Sequence, residues 1–125
     1  MRVLLVGRLA AATLSVTTFV FLFLHSSWRA DNPFLVPDLI LCAVLALGAS
    51  LPARAAAATL AIGFAYAAGV LTVSVFSYAV TGDLGAPSLI GALVAAAAAV
   101  AMARGNRPGS PTSRPASPSL TAGRA

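Results

Sequence analysis

The fold depends on residues 37–54, PDLILCAVLALGASLPAR, because this stretch decides whether the chain crosses a membrane an even or an odd number of times. Its apolar run is shorter than the roughly 20 residues that usually span hydrocarbon. Pro37 and Asp38 suit a first helical turn, where a missing N–H is no loss and a carboxylate meets the positive dipole end. If the residues before Pro37 enter the membrane boundary, or if the bilayer thins locally, the run is long enough, and we predict a span over 35–51.

Composition places the rest of the chain in lipid. Of its 125 residues, 59% are hydrophobic and only 9% are charged, and the mean hydropathy is +0.93. A small soluble domain needs a charged surface, whereas hydrocarbon needs none. The sequence therefore predicts an integral membrane protein whose first partner is the lipid bilayer.

Three further apolar runs complete the predicted architecture, at residues 3–24, 55–80 and 84–103. The first could also be read as a signal peptide, but it is long and no A-x-A-like cleavage site follows it, so an uncleaved anchor is favoured. Residues 105–125 are rich in Pro, Ser, Gly and Arg and predict a disordered tail. We expect an all-α, membrane-spanning antiparallel four-helix bundle over residues 1–104.

The arginines predict the orientation of these spans. On alternate ends of the four runs, one side receives Arg2, Arg8, Arg54, Arg104, Arg107, Arg114 and Arg124. The other side receives Arg29, Asp31, Asp38 and Asp83. The positive-inside rule then puts both termini in the cytoplasm of a plasma-membrane protein. Because the net charge of +5 lies mostly at membrane boundaries, nucleic acid is not an expected partner.

Small residues at four-residue spacing predict how the helices pack, because small side chains let helix backbones approach in lipid. The predicted ladders are Gly7, Ala11 and Ser15; Cys42, Ala46 and Ser50; Ala57, Ala61, Ala65 and Gly69; and Gly91, Ala95, Ala99 and Ala103. Such faces could also serve self-association or docking to a larger membrane complex. We expect Cys42 to be a buried small residue and Tyr66 to bond to a neighbouring helix.

Arg8 lies inside the first span and has two interpretations. It could be the counter-ion of an anionic substrate, or its long side chain could extend back to cytoplasmic headgroups without any protein partner. We favour the second interpretation.

Polar residues near the predicted outer face form the candidate site: His25, Asp38, Ser74, Ser77 and Tyr78, accompanied by Ser15, Thr18 and Thr81. They could line a polar vestibule in which His25 and Asp38 exchange protons or hold a cation. Alternatively, the hydroxyls bond to carbonyls, His25 and Tyr78 lie in the interfacial belt and Asp38 caps its helix. We favour this structural alternative. Their helical spacing alone does not give the distances between them.

Catalytic and metal-binding patterns do not emerge from the sequence. With one histidine, three acidic residues and no lysine, the chain offers no recognised zinc, P-loop or paired-carboxylate arrangement. We therefore expect neither enzyme activity nor a cofactor.

The segment WRADNPFLVPD, residues 28–38, followed by a short span and the Pro-Ala-Arg turn at 52–54, resembles small four-helix integral membrane proteins of actinobacteria that have no assigned activity. The resemblance implies a bacterial plasma-membrane protein. Small multidrug exporters are less similar, because the first span here has no acidic residue. We expect a non-enzymatic structural or accessory subunit that packs through small-residue faces, and the alternative is a small oligomeric transporter or channel that uses the polar cluster.

Overall fold

A computed structural model describes residues 1–24 and 28–105, and the regular structure in them is entirely helical. Its helices are α1 (Arg2–Leu24), α2 (Leu35–Ser50), α3 (Ala53–Val80) and α4 (Ala86–Gly105). Helices α1, α3 and α4 are long and apolar enough to cross a membrane, whereas α2 has 16 residues. The predicted tail after Gly105 lies outside the described residues.

Local turn chemistry fixes the start of α2 and the end of α3. Before α2, the backbone N–H of Phe34 donates to Oδ1 of Asn32 at 3.1 Å, which closes an Asx turn. After α3, Gly82 has a φ of +82°, and the N–H of Asp83 donates to the Tyr78 carbonyl at 3.0 Å. This is a Schellman-type ending, in which glycine takes the left-handed position at least cost.

The helices do not contact each other equally. Helix α3 packs closely along α4 and along α2, and α1 packs along α2. Helix α1 contacts α3 and α4 much less, and in the described chain α2 does not contact α4. The fully buried large side chains are Phe64, Leu22, Leu41, Leu45 and Leu60. The limited contact of α1 with α3 and α4 leaves space between them.

Glycines on α2 and α3 receive leucines from the facing helix. A Cβ atom at Gly48 would lie 2.9 Å from Cδ2 of Leu60, and one at Gly63 would lie 3.1 Å from Cδ2 of Leu45. Both leucines are fully buried. These reciprocal contacts bring the two backbones together, as small residues do in membrane helix pairs.

The small-residue ladders are predicted correctly on α1, only at Cys42 on α2 and not on α3. Gly7, Ala11 and Ser15 are all buried. On α2 and α3, the ladder residues exposed instead are Ala46, Ser50, Ala65 and Gly69. The buried residues are Leu41, Cys42, Leu45 and Gly48 on α2, and Ala56, Leu60, Gly63, Phe64, Ala67, Leu71 and Ser74 on α3. On α4, Ala95 is buried but Ala103 is exposed. The physical reason is that each close approach needs a large side chain opposite the small one, so small residues alone do not define the buried face.

Arg8 has a protein partner, contrary to the interpretation favoured from the sequence. Its guanidinium donates a hydrogen bond to the carbonyl of Leu51, just after α2, and its Nε is buried without a partner in the described chain. The last carbonyls of a helix lack intrahelical donors and carry partial negative charge, so they attract an arginine. Arg8 thereby links α1 to the turn between α2 and α3.

Candidate functional site

A cavity of about 720 Å³ lies between α1, α3 and α4. The loop residues 32–34 and Asp38 at the start of α2 complete its wall. Its polar lining residues are Thr13, Thr17, Thr18, Asn32, Asp38, Ser74, Ser77, Tyr78, Thr81 and Ser88. This volume falls in the range of small-molecule sites, which combine apolar walls with a few polar groups.

The structure brings most of the predicted polar cluster to this cavity. Asp38, on α2, and Ser74, Ser77 and Tyr78, on α3, all line it, although Asp38 precedes the other three by 36 residues or more in sequence. His25, the remaining residue of the cluster, lies outside the described residues. The chemistry of the predicted site therefore depends on the residues that line this cavity.

Asp38 lies in the first turn of α2 but does not cap it. The N-cap residue is Phe34, and no side-chain hydrogen bond caps the helix there. The Oδ1 atom of Asp38 is buried and has no hydrogen-bond partner in the described chain. The ion pair in the same loop joins Arg29 to Asp31 at 3.3 Å on the exposed surface. Asp38 thus lines the cavity with a carboxylate that no cation in the described chain compensates.

The end of the cavity away from the loop is mainly apolar. A Cβ atom at Gly91 would lie 2.9 Å from Cδ1 of Leu71 and 3.8 Å from Cδ1 of Leu14, so these residues of three helices meet at one level. Beyond them the lining continues with Ala10 and Val94. The serine and threonine hydroxyls of α3 and α4 that line the cavity lie on the other side of this level, toward the loop. The cavity is thus a hydroxylated recess with a mainly apolar floor.

Ser15, predicted near the outer face, and Tyr66, predicted to bond to a neighbouring helix, both have structural roles. Ser15 does not line the cavity: its Oγ donates to the carbonyl of Cys42 at 3.1 Å, and the Cys42 thiol donates to the carbonyl of Ser15 at 3.4 Å. Cys42 is buried, as predicted. Tyr66 bonds to α2, as predicted, through a long hydrogen bond of 3.5 Å from its hydroxyl to the Pro37 carbonyl.

Sequence reasoning missed several lining residues, chiefly Thr13, Thr17 and Ser88. Thr13, Thr17 and Thr18 follow i, i+4, i+5 spacing, so they share one face of α1 and could have been found. The sequence groups Ser15 with Thr18 near the outer face, because no local pattern indicates that Ser15 bonds to α2. No sequence pattern points to Ser88 as a lining residue, since it stands alone near the start of an alanine-rich helix.

The lining residues can accept and donate hydrogen bonds and can compensate one positive charge. In the described part of the chain no three His, Cys, Asp or Glu residues lie close enough to hold a metal ion. No protein-family model matches the chain, and comparison with curated proteins and with solved structures also finds no match.

Proposed function

We propose that the chain forms a four-span antiparallel bundle in the plasma membrane, with both termini in the cytoplasm. Contacts between neighbouring helices support the antiparallel arrangement. On α1 and α4, Gly105 is near Val3, and Met102 is near Gly7. Further along α1, Leu14 is near Gly91. Residue numbers thus rise along α1 while they fall along α4.

Large apolar side chains on the outer faces support insertion into lipid. On α3, the exposed fractions of Ile62, Val73 and Phe76 are 69%, 59% and 66%. A soluble protein rarely exposes such contiguous apolar surface, whereas lipid solvates it. Arg8 bonds to the carbonyl of Leu51 in the α2–α3 turn, and Arg54 follows Leu51 closely in sequence. Two arginines at this turn support a cytoplasmic location for it.

Thiol labelling tests this orientation. In a chain with Cys42→Ala, we expect Asp83→Cys to react with a membrane-impermeant reagent added to intact cells. Ser110→Cys should react only after permeabilisation. Extracellular labelling at position 110 would contradict the orientation.

We further propose that the cavity binds a small solute from the extracytoplasmic side, as part of a transporter or channel. The observation that carries this proposal is the Asp38 carboxylate, which lines the cavity without a compensating cation in the described chain. An ionisable side chain inside a span is costly unless water, a proton or a ligand reaches it. The contacts of Gly48 with Leu60 and of Gly63 with Leu45 put Asp38 opposite about residue 70 of α3. That level is roughly 15 Å inside the end of α3 at 1.5 Å per residue.

Accessibility of the cavity to water tests this proposal without knowledge of the solute. Thr17 lines the cavity, whereas Val20 lies nearer the end of α1 but is exposed outside the cavity. In the Cys42→Ala chain, Thr17→Cys should react with a charged methanethiosulfonate reagent from outside, because a wet thiol can ionise. Val20→Cys, in lipid, should not. Reaction at Val20 alone, or at neither position, would contradict a water-filled cavity.

An accessory role remains a second candidate, favoured by one face of α3. Ala65 is exposed, and no atom lies within 4 Å of a Cβ atom at Gly69. A partner helix could approach closely there. Gly69→Leu should then abolish co-purification of a membrane partner or self-association, while Thr17→Cys labelling stays unchanged. Unchanged association would remove the support for this role.

A further inference from the structure

The charges around the cavity favour a cationic occupant. Among the described residues that line the cavity, Asp38 is the single carboxylate and none is an arginine. Arg29 is paired with Asp31 at the surface, and Arg8 bonds to the Leu51 carbonyl. One fixed negative charge surrounded by low-dielectric protein attracts a cation and repels an anion far more strongly than it would in water.

The shape and the walls favour an organic cation over a metal ion. A cavity of about 720 Å³ is far larger than a bare inorganic ion. Its lining includes three aromatic residues, Phe21, Phe34 and Tyr78, besides aliphatic side chains. Aromatic faces together with a carboxylate are the groups that recognise ammonium ions in proteins. The hydroxyls provide acceptors for ammonium N–H groups.

We propose that the cavity selects organic monocations, such as an ammonium group attached to an apolar body, and that Asp38 is the residue that sets this selectivity. The positive charge lies against the Asp38 carboxylate, and the apolar body contacts the aromatic walls. A single charge is specified because a second ammonium would find no second carboxylate among the described lining residues. The inference rests on the proposed solute-binding function and adds to it the class of the solute.

Three solutes of matched size test the charge selectivity in the full-length chain in nanodiscs: 2-phenylethylammonium, neutral 2-phenylethanol and anionic 3-phenylpropanoate. We expect saturable binding of the ammonium, measured with radiolabelled ligand, and at least tenfold weaker competition by the alcohol and the anion. A hydrogen bond to a charged group corresponds to about a 10- to 100-fold change in affinity. Asp38→Asn should remove the preference, and Asp83→Asn, at the exposed α3–α4 turn, should keep it.

A second variant keeps the inference testable if Asp38→Asn does not fold. Phe34→Leu retains the carboxylate and an apolar side chain but removes an aromatic ring. We expect it to weaken ammonium binding several-fold and to weaken alcohol binding less, because only the cation gains from the ring quadrupole.

Three results would each contradict a different part of the proposed cation selectivity. Equal binding of the ammonium and the alcohol would refute charge selectivity and leave a solute-binding cavity in place. Displacement of the ammonium by an equal concentration of potassium would refute the organic class. No saturable ammonium binding would overturn the inference, while Thr17→Cys labelling decides independently whether the proposed function stands.

Discussion

Replacing Gly48 by alanine inserts a methyl group into a close contact between α2 and α3. The new Cβ would lie 2.9 Å from Cδ2 and 3.2 Å from Cγ of Leu60, and 3.3 Å from Cγ2 of Thr59. Carbon atoms prefer separations of about 3.5–4.0 Å. Leu60 is fully buried, so it has little room to move away. Overpacking of this kind typically costs about 1–3 kcal/mol.

Gly69→Ala is the matched control, because a Cβ atom there meets nothing within 4 Å. Both substitutions gain the same helix propensity, up to about 1 kcal/mol. We therefore expect the free energy of unfolding of Gly48→Ala to fall below that of Gly69→Ala by about 1–3 kcal/mol. Steric trapping in bicelles measures both values against the unaltered chain. Equal changes in the two variants would refute the close α2–α3 contact.

Two further substitutions, each with a control substitution, test the packing in the same assay. Phe64→Ala should cost roughly 2 kcal/mol, from about 100 Å³ of cavity at ~24 cal/mol per Å³. The transfer free energy of the side chain adds little, because apolar lipid also surrounds it in the unfolded state. Phe76→Ala, at a side chain that is 66% exposed, should change stability little, and equal losses would contradict the assigned faces. Ser15→Ala should cost about 0.6–1.7 kcal/mol, because it removes the bond to the Cys42 carbonyl. Ser50→Ala, whose hydroxyl bonds within its own helix, should cost less, and the reverse order would refute the interhelical role of Ser15.

The helices could be predicted from sequence because hydropathy and turn residues are local signals. The ends of α3 and α2 follow from Gly82 and from Pro52, which precedes α3. The faces that pack could not be predicted, since they depend on which leucine meets which glycine. Leu60 opposite Gly48 is such a contact. The sequence of α2 alone does not indicate which residues of α3 pack against it.

The candidate site was predictable in part for the same reason. Ser74, Ser77 and Tyr78 share a helical face by spacing alone, and the structure places that face on the cavity. That Asp38 lines the same cavity depends on the shortness of α2 and on the limited contact of α1 with α3 and α4. These are properties of the assembled helices, which no single segment encodes.

Uptake of radiolabelled 2-phenylethylammonium into proteoliposomes requires both the cavity and its carboxylate. We expect saturable uptake by the unaltered chain, retention of that uptake in Asp83→Asn and its loss in Asp38→Asn. Uptake no faster than in protein-free liposomes, or equal uptake by both variants, would refute a cation-selective transport cavity.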